Sequence, residues 1–269
     1  MFDDYLALGL AGEEGLALRV RLQTEVSRRN VLAFARWMCV RARFAEDIVE
    51  QAVGNGVCQY VILGAGLDSF AYRREDLLAH LRVFEVDHPA TQSWKRRQLS
   101  DLGVGIPGGL VFAPVDFERQ TLRDGLESAG FDFGQRAVFA WLGVAMFLTL
   151  DAISATLSTI MECAAGTRLV LTYNQPRAAL QGVAAEVSVT FVGITTEMGE
   201  PFITRFLPRE IGQLLREHGF DDTADFGPEE ALTAYFQGRT SVDIGGSERL
   251  IAATVRSSSH GEVRAPQSV

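Results

Sequence analysis

The sequence predicts an α/β protein built on a doubly wound, mostly parallel, Rossmann-like sheet. Five short apolar runs alternate with helical patterns across residues 59–173, and the connections between them are short. The first run drives straight into Gly64-Ala65-Gly66, and the second and third end in acids, Asp87 and Asp116. Apolar runs of four to six residues suit strands buried on both faces, and strand–helix alternation places them side by side and parallel between helix layers.

Taken in order, residues 13–53 read as helix, in two segments that the pattern does not separate. Val26, Ala33, Trp37, Val40, Phe44, Ile48 and Ala52 recur at mostly three- to four-residue intervals, a stripe able to pack on a sheet. Arg36, Arg41 and Arg43 interrupt it and on spacing alone read as solvated surface. The strands follow at 60–63, 82–87, 110–115, 137–142 and 169–173. Between them, 122–130 reads as helix, and Asp151 is expected to cap a helix reaching Ala165 and closed by Gly166. Periodicity fades over 174–207, which points to a lid or substrate-covering insertion. Pro208 and Gly219 bracket a further helix, and 251–255 reads as a last strand, added antiparallel. The organisation expected is an N-terminal helical cap over 1–53, a cofactor-binding domain over 54–256 and a polar, disordered tail over 257–269.

The residues at the strand ends carry the chemistry. Glycines at 64 and 66 let the chain turn tightly and let a ligand approach the main chain, with the next helix's amides facing it. A dinucleotide fingerprint wants a third glycine where Ser69 stands, and Asp68 before it is a poor neighbour for a pyrophosphate but a good one for a cation such as a sulfonium. Asp68 is equally readable as a helix N-cap. Asp87 lies 23 residues beyond Gly64, where a strand-end carboxylate can accept hydrogen bonds from a ribose diol; Glu85 is the second choice, and capping the helix after Pro89 is the structural alternative. Asp116-Phe117 offers a carboxylate for an exocyclic amine and a ring for a base, or again a cap. Lys95-Arg96-Arg97 reads as a solvated face.

Composition narrows the function. The net charge of −9 disfavours a nucleic-acid partner, which needs a basic surface. No secretory signal is visible at Met1-Phe2-Asp3-Asp4, and the longest apolar run, 137–148, is too short for a bilayer core of about 30 Å. Cys39, Cys58 and Cys163 read as buried thiols of a cytoplasmic protein. The single lysine, Lys95, belongs to no P-loop, no Gly-x-Ser-x-Gly elbow occurs, and the four histidines show no ligand spacing, so no metal site is expected.

With these residues in place the chain resembles the leucine carboxyl methyltransferase family, and within it the bacterial branch of O-methyltransferases linked to polyketide and other small-molecule metabolism. The matching stretches are Leu63-Gly-Ala-Gly-Leu-Asp-Ser69, Phe84-Glu-Val-Asp-His-Pro89 with Thr91-Gln92 and Trp94-Lys95, Pro114-Val-Asp-Phe117, Trp141-Leu-Gly-Val144 and Gly199-Glu-Pro-Phe202. The resemblance implies a class I methyltransferase-like fold and S-adenosylmethionine as cofactor. It places Gly64 and Gly66 at the methionyl portion, Asp87 at the ribose, and Asp116 and Phe117 at the adenine, with Ala65, Asp68 and His88 counted among the cofactor-binding residues. Trp141 and Leu142 would supply packing, and Arg41 would pair with the cofactor carboxylate, Arg43 being the fallback. Eukaryotic members carry an acid at the Trp141 position and an early lysine near the cofactor; this chain has neither, which counts against a protein C-terminal carboxylate as acceptor.

The expected activity is therefore O-methylation of a small-molecule carboxylate or hydroxyl. No general base stands out, with Tyr173, His88 and the 174–207 segment as acceptor-side candidates. The rivals are an NAD(P)-dependent oxidoreductase, on Gly64-x-Gly66 and Asp87, and a non-catalytic cofactor-binding member of a biosynthetic complex.

Overall fold

A computed structural model describes residues 4–117, 119–237, 239 and 242–256; the tail expected over 257–269 lies outside them. The N-terminal helical region is two helices, α1 (Ala7–Glu25) and α2 (Arg28–Gly54). Ser27 separates them, its side chain accepting from the Asn30 amide at 3.2 Å, which satisfies an otherwise orphaned donor at the start of α2. Along α2 the stripe Ala33, Trp37, Val40, Ile48 and Ala52 is buried.

Next come β1 (Gln59–Leu63), the short helices α3 (Phe70–Arg73) and α4 (Glu75–Leu78), β2 (Arg82–Asp87), α5 (Pro89–Asp101), β3 (Leu110–Pro114), α6 (Leu122–Ser128) and β4 (Ala137–Trp141). They are followed by α7 (Leu150–Met161), β5 (Arg168–Asn174), α8 (Gly182–Glu197), α9 (Pro208–Glu217), β6 (Phe220–Phe226), α10 (Pro228–Tyr235) and β7 (Glu248–Val255). The seven strands lie in the order β3-β2-β1-β4-β5-β7-β6, parallel except for β7, which runs antiparallel to both β5 and β6. Alternate residues of each strand feed two apolar layers. Tyr60, Ile62, Val83, Val138 and Val170 meet α2 and α5, while Val61, Leu63, Phe84, Phe139 and Leu171 meet α6, α7 and α9.

Several expectations need correction. Thr149, not Asp151, caps α7, accepting from the Ala152 amide at 3.3 Å, and the helix ends at Met161 rather than Ala165. The segment from 174 to 207 contains the sixteen-residue α8. Its sequence is apolar and β-branched on nearly every side, so no stripe marks it as amphipathic. The last strand begins at Glu248, three residues earlier than expected. The edge strand β6 and helix α10 were not foreseen. Of the thiols only Cys163 is buried, and burial pushes it up to about 12; Cys39 and Cys58 are half-buried. Among the described residues no helix is long and apolar enough to cross a membrane, and no cluster of His, Cys, Asp or Glu could hold a metal.

Candidate active site

The strand order reverses between β1 and β4, and in such sheets the crevice beyond the carboxyl ends at that point is where ligands bind. The chain leaves β1 through Gly64 (φ +67°) and Gly66 (φ +49°), both in the left-handed region open to glycine. It leaves β4 through Gly143, whose amide donates to Thr172 Oγ at 2.7 Å. The two exits touch: a Cβ on Gly64 would lie 2.4 Å from Val144 Cγ2. Over Gly66 the space is open, with nothing within 4 Å of where a Cβ would stand.

The turn is held from three sides. The Asp87 carboxylate accepts from the Gly66 amide and from the His88 amide, each at 2.6 Å. Asp87 is therefore beside the glycine turn, and His88 takes the capping position of α5, its exposed Nδ1 accepting from the Ala90 amide. Behind the turn, Lys95 Nζ donates to the Asp68 carbonyl and to Glu85 Oε2, both at 2.6 Å. Lys95 is thus not on a solvated face; both side chains of this pair are 1% exposed. Burial pushes Glu85 up to about 7, against the opposing pull of the Lys95 charge. So engaged, Glu85 is no alternative to Asp87. On the third side, Ser69 Oγ donates to Asp4 and accepts from Arg73, whose Nη2 reaches the buried Glu46 of α2 at 2.6 Å. The Asp68 carboxylate accepts from the Phe70 amide at 2.7 Å, so it caps the following turn.

The remaining expected residues divide. Asp116 follows β3 two residues beyond Pro114, the register partner of Asp87, and Arg119 Nε stands 3.5 Å from its carboxylate; the Phe117 ring is 61% exposed at the same edge. Trp141 is buried among the α6–α7 layer, and Leu142 is half-buried against the α2 layer. Arg41 lies over Gly143, where a Cβ would come within 2.8 Å of its Nη1, while Arg43 pairs along α2 with Asp47 at 2.5 Å. Tyr173 is no acceptor-side base: its hydroxyl donates to Asp225, and burial raises it far above an ordinary phenol.

Sequence reasoning missed Glu248. This carboxylate is 7% exposed and accepts from Trp37 Nε1 at 3.0 Å and Arg41 Nη1 at 3.1 Å. It lines a cavity of about 150 Å³ whose walls come from α2, α8, Gly143, Phe147 and Phe202. A larger, polar hollow of about 700 Å³ lies at the amino ends of β1, β2 and β3, around Gln59, Arg82 and Gly109. It is remote from the glycine turn, so the smaller cavity is the one adjoining the crevice.

These features suit an adenosine-bearing sulfonium: a turn of two positive-φ glycines with open space above Gly66, and carboxylates rather than arginines beyond the ends of β2 and β3. Comparison with known proteins agrees. Residues 1–161 match the family profile described as leucine carboxyl methyltransferase. A Bacillus subtilis (strain 168) protein provisionally named an S-adenosyl-L-methionine-dependent methyltransferase, YktD, is 33% identical over 261 residues, 89% of this chain and 85% of its own. A Mycobacterium leprae (strain TN) protein with the same provisional description is 31% identical over 80% of this chain and 71% of its own. Among solved structures, a Thermobifida fusca protein provisionally described as a methyltransferase superposes with a TM-score of 0.64 at 17% identity, covering 93% of this chain and 92% of that one. Human N-acetylserotonin methyltransferase in complex with SAM superposes at 0.50 and 14% identity, over 94% and 68%. These two likenesses speak for the fold alone, a class I methyltransferase sheet. On the family match and the relatives, the chain belongs to the leucine carboxyl methyltransferase family and is an S-adenosylmethionine-dependent methyltransferase.

Proposed function

We propose that this methyltransferase acts on an oxygen, carboxylate or hydroxyl, of a small molecule held in the cavity beside Gly143. The observation that carries the reading is the position of that cavity: it opens on Gly143 and Arg41, which adjoin Gly64 through Val144. An acceptor there stands next to the methionyl end of a cofactor seated over the glycine turn.

In this reading Gly64, Ala65, Gly66 and Asp68 line the methionyl portion, Asp87 takes the ribose diol with His88 alongside, and Asp116 and Phe117 receive the adenine. Arg41 faces the cofactor carboxylate, which a guanidinium can hold bidentately; Trp141 and Leu142 pack behind. When bound, S-adenosylmethionine supplies a methyl group on a sulfonium that leaves as a neutral thioether. The chain's own work is to align the acceptor and exclude water. The helices of 1–53 form one wall and α8, within 174–207, covers the pocket. The small pocket and the net charge of −9 favour a small metabolite over nucleic acid; the cytoplasm and small-molecule metabolism of the polyketide kind rest on the resemblance to the family's bacterial branch. The test is to incubate methyl-labelled S-adenosylmethionine and the protein with an extract of the source organism and identify the labelled product. A methyl ester or ether is expected; a label on nitrogen, sulfur or carbon sinks the reading.

A further inference from the structure

The pocket's own charges say which oxygen. Among the described residues lining it there is one carboxylate, Glu248, and one cation, Arg41, and the two are already paired. Trp37 Nε1 and Arg41 Nη1 fix the Glu248 carboxylate, yet an ionised carboxyl has about four acceptor positions, so capacity remains for one further donor. A hydroxyl brings that donor. A substrate carboxylate brings none, and adds negative charge beside a buried one, an arrangement that costs affinity steeply where water is excluded. Arg41 cannot offset it, because in the reading above the same guanidinium also faces the cofactor carboxylate.

The walls say what carries the hydroxyl. The Phe34 and Phe191 rings stack at 3.6 Å between centroids and 23° between planes, and Phe147 meets Phe202 edge-on at 5.4 Å. A volume of about 150 Å³ is the size of cavity that accepts a single benzene ring.

Resting on the oxygen-transfer reading of this same site, we propose that the acceptor is a neutral hydroxyl compound presenting one flat ring, of the phenol class, and that Glu248 receives its proton. The hydroxyl oxygen forms the new bond to the methyl carbon, the carbon–sulfur bonding pair stays on sulfur, and the hydroxyl proton passes to the Glu248 carboxylate.

The test titrates 4-methylphenol and benzoate, at neutral pH, into the protein saturated with S-adenosylhomocysteine, using calorimetry. The phenol is expected to bind at least tenfold more tightly, and Glu248→Gln to narrow that ratio at least tenfold by removing the charge. Benzoate binding within threefold of the phenol, or a ratio untouched by Glu248→Gln, overturns the proposal, as does failure of the protein to bind either ring. If Glu248→Gln does not fold, the wild-type ratio alone decides. Methyl transfer to 4-methylphenol is then measured with S-adenosylmethionine. Selective binding with no ether formed overturns Glu248 as the proton acceptor of a phenol, while the oxygen-transfer reading is decided separately by the atom that carries the label.

Discussion

Replacing Lys95 by methionine is the most informative perturbation of the scaffold. The substitution keeps most of the side-chain volume and deletes an ammonium that lies 2.6 Å from both Glu85 Oε2 and the Asp68 carbonyl. Glu85 Oε1 has no hydrogen-bond partner, so the carboxyl would be left with nothing to offset its burial. Breaking a buried pair from one side costs about 3–5 kcal/mol, and the lost charge-assisted bond to Asp68 about 1.5–3 kcal/mol, not additively. A loss of about 4 kcal/mol is therefore expected in urea unfolding at about pH 8, where Glu85 is ionised, followed by tryptophan fluorescence. Glu85→Leu with Lys95→Met removes both charges and is expected to recover most of it, since apolar replacement of a buried pair is commonly neutral or better. The double variant should nonetheless bind S-adenosylhomocysteine about tenfold more weakly, because a charge-assisted bond of about that worth no longer holds the glycine turn. A loss below about 1 kcal/mol in Lys95→Met refutes the energetic argument. Wild-type affinity in the double variant refutes the positioning one.

Three further outcomes are expected. Asp87→Ala should weaken S-adenosylhomocysteine at least tenfold by calorimetry, since it removes the carboxylate assigned to the ribose and frees the Gly66 and His88 amides; unchanged affinity removes the ribose assignment. Gly64→Ala should lose about 1–2 kcal/mol to left-handed backbone and about 1–3 kcal/mol to overpacking against Val144, and adding Val144→Ala should restore only the second part in urea midpoints. Glu85 is raised from 4.5 to about 7, so the folded chain holds a proton there that the unfolded chain releases. Its contribution is fully present below about pH 4.5 and fades as pH rises through about 7. Comparing unfolding curves for wild type and Glu85→Gln across that window should show the slope in the first and its absence in the second.

Strands β1 and β4 at the centre of the crevice were readable because each is buried along its whole length and so announces itself as an apolar run. Strand β6 announces nothing: Asp221, Asp222 and Asp225 occupy three of its seven positions, it lies at the sheet edge, and a bulge with Asp222 at φ +50° breaks its alternation. Asp87 was legible from its distance to the glycine turn, since consecutive strand ends in a parallel sheet are neighbours. Lys95 was not, because a charged run on a helix looks solvated until the strand beneath it supplies a buried acid. A signal did exist for Glu248. It alternates with Leu250 and Ala252 and so shares their buried face, but starting the strand at 251 left it outside.

The burial of the chain's single lysine has a chemical corollary. Acylating and other amine-seeking reagents meet no ε-amino group on the native surface, so modification at Lys95 can proceed only while helix α5 lifts from the loop after β1. The rate of that modification is thus a direct clock for the opening of this layer, and a cofactor that clamps the loop should slow it.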